Sequence, residues 1–386
     1  MKILYSFPHK IGADRICYTA WEQVRGLYGA GVDVVAMPAA VARPIPVETL
    51  PTLARGKLRI PIRLIGSRRS FRIHDSIVAN RLEKLGHSID VVHTWPSGAL
   101  ETLRAAKRIG IPTVLERPNA HTRYAYEVVK DECRRIGVSL PPGDEYEYRN
   151  DILDAEEEEF ELADFLLCAS SFSAKTFMDR GFSPDKIIRH TYGYDEQRFF
   201  PDPQPRKKFT VLFAGIASVR KGLHLALEAW KKSTAIHDGV FRIAGTIAPD
   251  YARHLQDILN HPSVEAMGHR HDVPELMRQA DILVLPSLEE GFGLVCVEAI
   301  GSGCVPLVSE ACTEECRHMQ NSLIHRIGDV QTLADQFSML HQDRELLLRL
   351  RNNCINQRLD YTWKAAGARL KSAYEEVLNR QAVVSA

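Results

Sequence analysis

Glu290 and Glu298, separated by seven residues, frame the part of this 386-residue chain best suited to chemistry. In residues 281–308, DILVLPSLEEGFGLVCVEAIGSGCVPLV, a buried strand ends at Pro286 and Ser287 and a loop carries Glu289 and Glu290. Gly291-Phe292-Gly293 then opens a helix near Leu294. Ligands of open α/β sheets bind beyond the carboxyl ends of strands, where the free amides of a helix N-terminus favour an anion. Gly291 and Gly293 let backbone N–H groups approach a phosphate or a sugar hydroxyl. Glu298 lies one turn into the helix and leans back towards its start, placed for a ribose diol just beyond the phosphates. A second segment, FTVLFAGIASVRKGLHLALEAW, sets Gly215 after a strand and Arg220-Lys221-Gly222 before a helix. Cations at such a mouth suit a diphosphate whose leaving charge must be stabilised.

These segments need a scaffold that holds strand ends and helix starts together. Apolar runs alternate with amphipathic ones (KILYSF, TAWEQVRGLYGAG, VDVVAM; DVVHTW, GALETLRAAKRIG, IPTVLE), which predicts a parallel sheet covered on both faces. A polar, proline-rich stretch over 195–208 interrupts the pattern, which restarts with FTVLFAG and runs to VPLVSE. Two doubly wound α/β domains are expected, over 1–200 and 201–360. A C-terminal helix is expected over 361–386, with its packing back on the N-terminal domain left open. The acidic run Glu156 to Glu159 reads as a solvated helix face.

Lys plus Arg and Asp plus Glu each number 49, and zero net charge argues against a general nucleic-acid binder. No apolar run approaches the about 18 residues that span a bilayer, and the start MKILYSFPHK reads as a buried strand, so a cytosolic location is expected. The 8 cysteines are scattered and read as reduced and structural. Cys312 and Cys316 with His318 lack a fourth ligand for zinc, and His269 and His271 read as a solvated turn.

The pattern P-S-x-x-E-G-F-G-L-x-x-x-E-A resembles the E-x7-E signature of retaining glycosyltransferases of family 4, which share the two-domain GT-B fold. The resemblance implies that Glu290 lies by the donor sugar, that Glu298 holds the nucleotide ribose, and that Gly291, Phe292, Gly293 and Leu294 line the donor site. Lys221 matches the family's phosphate lysine, six residues after Gly215. Ile216 stands where the family has an arginine, and Arg220 is the substitute cation. Residues 168–201 are similar to the segment that closes the family's N-terminal domain, and Gly268 to the loop bordering the base. On the N-terminal side the family has a glycine-rich loop, matched here only by Gly12, and a histidine near the reactive carbon. Pro118 occupies that histidine's place, which makes His121 the catalytic candidate and His93 the alternative. Asp14, Glu116, Arg117 and Asn119 are candidates for acceptor or donor hydroxyls.

The implied reaction moves a sugar from a nucleotide-diphosphate donor to a glycan or lipid-linked acceptor hydroxyl with retention. No cofactor or metal is expected, since D-x-D is absent and Arg220, Lys221 and helix amides supply positive charge. A nucleotide-sugar-binding subunit that activates a partner chain is the alternative. An oxidoreductase is disfavoured because G-x-G-x-x-G is missing. Finally, Arg55, Lys57, Arg59, Arg63, Arg68, Arg69 and Arg72 occur with no acidic residue among them until Asp75. This block reads either as a solvated loop or as a contact, through residues 55–72, with an anionic acceptor or the inner face of an anionic membrane.

Overall fold

The computed structural model describes residues 1–55, 58–59, 66–204, 206 and 208–384. Two parallel sheets organise them. The N-terminal sheet contains β1 (Lys2–Ile11), β2 (Asp33–Val41), β3 (Glu48–Thr49), β6 (Val91–Thr94), β7 (Thr113–Arg117), β8 (Phe165–Cys168) and β9 (Ile187–Arg189), in the order β3-β2-β1-β6-β7-β8-β9. Outside it, β4 (Ala54–Arg55) and β5 (Leu58–Arg59) form an antiparallel pair. The C-terminal sheet contains β10 (Thr210–Ala214), β11 (Val240–Ala244), β12 (Val264–Gly268), β13 (Ile282–Leu285), β14 (Val305–Ser309) and β15 (Leu323–His325), in the order β12-β11-β10-β13-β14-β15. In each sheet the strand order reverses beside the domain's first strand, which opens a crevice at the carboxyl ends of β1 and β10. β8, β13 and β14 are buried throughout, as strands covered on both faces must be.

The two domains share packing. The apolar core around β10 and β13 takes in Val129, Cys133 and Ala169 from the N-terminal side. His224 Nε2 on the Leu223–Lys232 helix lies 2.6 Å from Glu132 Oε1 on the Thr122–Ile136 helix. The chain re-enters the N-terminal domain where the Tyr194 N–H donates to the Tyr361 carbonyl at 3.0 Å and the Trp363 N–H donates to the Tyr194 carbonyl at 3.3 Å. The final helix, Trp363–Val384, then lies against the Ile16–Gly29 helix. The two backbones touch at Gly26 and Gly367, where a Cβ on Gly367 would stand 2.5 Å from Gly26 Cα. Beyond that contact Leu370, Ala373, Tyr374 and Val377 enter the N-terminal core.

The acidic run departs from the expected solvated face. On the Asn150–Leu162 helix Glu157 and Glu158 point outward, while Glu156 and Glu159 are buried. Glu159 accepts from the N–H groups of Ser97 at 2.8 Å and Ala99 at 3.0 Å, at the start of the Leu100–Ile109 helix. A carboxyl at a helix N-terminus satisfies donors that the helix cannot pair itself. Burial nevertheless pushes its pKa up to about 8.

Gly367→Val should separate the two helices and cost about 2 kcal/mol, in the range for overpacking a close contact. Urea denaturation checks this; an unchanged midpoint would show that the Gly26–Gly367 contact is not made.

Candidate active site between the two sheets

The loops after β10 and β13 meet because Gly222, at φ +69°, sits directly on the Pro286 carbonyl. Any Cβ there would lie 2.1 Å from that oxygen, so glycine is required on both conformational and steric grounds. This contact sets Arg220 and Lys221 over Glu289 and Glu290. Lys221 Nζ forms a short ion pair with Glu290 Oε1, which also accepts from Ser287 Oγ at 3.1 Å. Arg220 Nη1 donates to the Glu289 carbonyl and to Glu289 Oε1, both at 3.0 Å, and lies 3.4 Å from Glu290 Oε1. The Tyr146 ring covers Arg220, with its centroid 5.0 Å from the guanidinium carbon.

Two cations and two carboxylates are thus packed together, and the carboxylates differ. Burial pushes both upwards; at Glu290 the charges of Lys221 and Arg220 outweigh it and hold the pKa below the usual range, whereas Glu289 stays raised. Arg220 is held above the usual arginine range, because Glu290, Tyr146 and Glu289 outweigh burial. Arg220 therefore braces the loop, while Lys221 and Glu290 form the pair at the cleft. Glu289, Ser287 and Tyr146 were absent from the expected site. Glu289 was visible beside Glu290, but nothing in the segment around Tyr146 pointed to this loop.

Glu298 belongs to a different part of the cleft. The Leu294–Gly301 helix, with Gly293 at its N-cap, brings Glu298 and Leu294 to a cavity of about 230 Å³ shared with Asp14, Arg15 and Arg198. Its carboxyl has no hydrogen-bond or ion-pair partner among the described residues. Burial pushes its pKa up to about 7, with Arg198 opposing and Asp195 adding to the shift. Asp14 lines this cavity with Glu298, and Gly12 follows β1 against Arg43.

From the N-terminal side the loop after β7 closes on the glutamate loop. A Cβ on Gly291 would lie 1.6 Å from the Pro118 carbonyl oxygen and 2.7 Å from Asn119 Cα, so two backbones touch here and Asn119 is at the contact. The Phe292 ring is buried against Tyr192, with centroids 5.5 Å apart, which leaves its backbone as the part able to meet a ligand. Gly215 follows β10 beside the exposed Ile216, and Gly268 ends β12 on the surface. His269 and His271 are exposed neighbours, and no cluster of metal-ligating side chains occurs among the described residues.

Four N-terminal candidates are enclosed instead of facing the cleft. His121 is buried against Phe160, Phe177 and Phe182, and its Nδ1 accepts from the Arg123 N–H at 3.2 Å as the cap of the Thr122–Ile136 helix. Burial, aided by the charge of Arg117, pushes its pKa down to about 3. Arg117 is buried with its guanidinium carbon 4.3 Å from the Phe160 ring centroid and Nη2 3.8 Å from Glu156. His93 and Glu116 are fully buried together. Glu116 lies 3.3 Å from His93 Nε2 and 2.8 Å from His190 Nε2, and it accepts from the Tyr192 hydroxyl at 2.6 Å and Gln23 Nε2 at 3.1 Å. The other nitrogen of His93 lies 2.8 Å from the Tyr374 hydroxyl of the final helix. The reason is β7 itself: it is central and covered on both faces, so Glu116 and Arg117 point into the domain.

Residues 208–343 match the model for Glycosyl transferases group 1. The C-terminal domain belongs to that family. The N,N'-diacetylbacillosaminyl-diphospho-undecaprenol alpha-1,3-N-acetylgalactosaminyltransferase of Campylobacter jejuni is 24% identical over 233 residues, 57% of this chain and 62% of that protein. This chain thus spans about three fifths of that relative's length. Sucrose-phosphate synthase from Thermosynechococcus elongatus superposes with a TM-score of 0.70 at 16% identity, covering 98% of this chain and 99% of that one. Anabaena HepE, solved in complex with UDP, gives 0.68 at 16% identity over 97% and 100%. The fold is GT-B, two Rossmann-like domains facing a cleft.

Glu116→Ala should cost about 3–5 kcal/mol, because it strands buried hydrogen-bonding groups that a hydroxyl-binding carboxylate at a surface would not. Chemical denaturation measures this, and a loss below about 1 kcal/mol would return Glu116 to the cleft. Glu298 gives a pH signature. Its folded pKa exceeds that of an unfolded carboxyl, so the native state holds the extra proton between about pH 4.5 and 7. Stability falls across that window as pH rises. Glu298→Gln should remove the fall and be more stable than the parent at pH 8.5 by about 2 kcal/mol, while matching it below pH 4.5.

Proposed function

We propose that the protein transfers a sugar from a nucleotide-diphosphate donor to a glycan or lipid-linked acceptor hydroxyl, with retention at the anomeric carbon and without a metal ion. The observation that carries this reading is the Lys221–Glu290 pair, set at the carboxyl ends of β10 and β13 and closed over by the Pro118–Asn119 backbone. In the proposed step the bond from the anomeric carbon to the departing phosphate oxygen breaks. The acceptor oxygen bonds to that carbon on the same face, and the acceptor proton passes to the leaving diphosphate. Lys221 stabilises the charge that grows on the diphosphate, and the amides before Leu294 add to it. Glu290 orients Lys221 and meets the donor sugar; Glu298, with its unpaired carboxyl, accepts from the ribose diol. The unprotonated form of Glu298 is the better acceptor, and a bound diol would favour it.

The relatives support the substrate classes. HepE was solved with UDP and with UDP-glucose, and the Campylobacter protein is named for a sugar carried on diphospho-undecaprenol. A lipid-linked acceptor suits the basic block. On the Ser67–Leu85 helix Arg69 and Arg72 are exposed beside the exposed Ile73 and Ile77, a pairing suited to an anionic membrane surface, while Arg68 pairs with Asp151. Lys57 and Arg63 lie outside the described residues. No helix among the described residues is long and apolar enough to cross a membrane.

A thermal-shift panel of UDP, GDP and their sugars should single out one nucleotide, since a ligand of the folded state raises its stability according to affinity. With that donor, Lys221→Ala should lower turnover about 100-fold while donor affinity changes much less, the size expected when one preorganised charge at a developing anion is removed. Turnover at the parental rate would remove the phosphate-site assignment. Anomeric inversion in the product, read by NMR, would overturn retention.

A further inference from the structure

At the other end of the C-terminal sheet, by the amino ends of β10 and β13, lies a cavity of about 480 Å³ between the interdomain linker and the Arg344–Gln357 helix. Arg206, Arg344 and Arg351 line it with Asp202 and Asp281, and Asp281 is the carboxylate that Arg206 and Arg344 share. Asp281 Oδ1 lies 3.9 Å from Arg206 Nη1 and 3.4 Å from Arg344 Nη2, and its other oxygen accepts from the Thr210 N–H at 3.0 Å. Arg351 donates to the Asp202 carbonyl at 2.6 Å, while the Asp202 carboxylate is used by the Gln204 N–H at 2.9 Å.

Three guanidiniums against two carboxylates, Asp202 and Asp281, leave positive charge in excess around this concave surface. The Arg206 side chain is only 7% exposed. Its Nη2 donates to the carbonyls of Arg278 at 3.0 Å and Gly303 at 3.4 Å, but its Nε–H has no partner among the described residues. A buried guanidinium with an unused donor and a half-share of one carboxylate is costly unless an anion completes it. Burial, with Arg344 adding to it and Asp281 and Asp202 opposing, pushes Arg206 below the usual arginine range. The rest of the lining mixes the polar Gln204 and Asn352 with an apolar side. Leu348, 57% exposed, and Ile355 offer a wall for an uncharged ligand body. A volume of this size falls in the range for small-molecule sites, and guanidinium forks match phosphate oxygens in pairs.

We propose that this cavity binds a small organic phosphate, its phosphate held by Arg206, Arg344 and Arg351 and its apolar part against Leu348 and Ile355. The site is separate from the cleft and does not depend on the transfer reaction.

Phenyl phosphate, titrated calorimetrically at fixed ionic strength into the full chain, is the probe, with phenol as the control lacking the phosphate. The parent and a Lys221→Gln variant should bind phenyl phosphate with equal affinity. Arg344→Gln/Arg351→Gln, which leaves buried Arg206 in place, should bind at least 10-fold more weakly, with an unchanged thermal midpoint when no probe is present. Phenol should not bind measurably. Absence of binding to the parent, equal affinity in the double variant, or loss of binding in Lys221→Gln would each overturn the proposal, the last by moving the phosphate to the cleft. If the double variant lost thermal stability, the single variant Arg351→Gln would decide, with a loss of at least 3-fold expected and no loss overturning the assignment.

Discussion

A carboxylate sealed inside a protein must be surrounded by donors, and Glu116 imposes that requirement on most of the N-terminal domain. Its two oxygens collect His93 from β6, His190 and Tyr192 from the end of β9, and Gln23 from the Ile16–Gly29 helix. Burial works against the charge, but the two imidazoles keep Glu116 well below the usual carboxylate range. Gln23 in turn accepts from Tyr5 of β1, and His93 reaches Tyr374 of the final helix. Removing one member leaves the others unpaired in a low-dielectric interior, so the group acts as a unit. The final helix is thereby tied to the N-terminal sheet although it follows the C-terminal domain in sequence.

That attachment bears on the cleft. With the Gly26–Gly367 contact and the Tyr194–Tyr361 backbone bond, it joins the linker and the returning helix into one double crossing between the domains. Further contacts also join the domains: Glu314 accepts from the Ser171 N–H at 3.1 Å and pairs with Arg189, and Glu132 meets His224. The Pro118–Asn119 backbone also touches Gly291. The distance between the two sheets is set by backbone contact there, which leaves no room for a side chain at position 291.

Charge is handled differently at the two centres of the cleft. Lys221, Arg220, Glu289 and Glu290 balance one another, and their packing fixes the loop before a ligand arrives, which lowers the reorganisation demanded of it. Glu298 is unpaired and raised to about 7, so its charge changes with pH near neutrality, whereas Glu290, paired to Lys221, is held below the usual range. The seven residues between them separate a balanced centre from an unpaired one.

The sequence alone carried the alternation of apolar and amphipathic runs, and with it the two parallel sheets, because strands buried on both faces must be apolar throughout. It also carried the glutamate loop and the Arg220-Lys221-Gly222 turn, since local spacing decides what stands at a strand end or a helix start. It did not reveal that His121, Glu116 and Arg117 are buried, and it took Glu156 and Glu159 for solvated residues. Burial is decided by what packs on an element from elsewhere, and a polar side chain is legible as interior only when its distant partners are known. Glu116 is inside because His190, Gln23 and Tyr192 come to it from positions up to 93 residues away. Tyr146 reached Arg220, and the final helix reached β6, by the same long-range closure. Local residue order determined which chemistry was present; tertiary packing decided which of those groups a ligand can meet, because only packing sets exposure and the company each charge keeps.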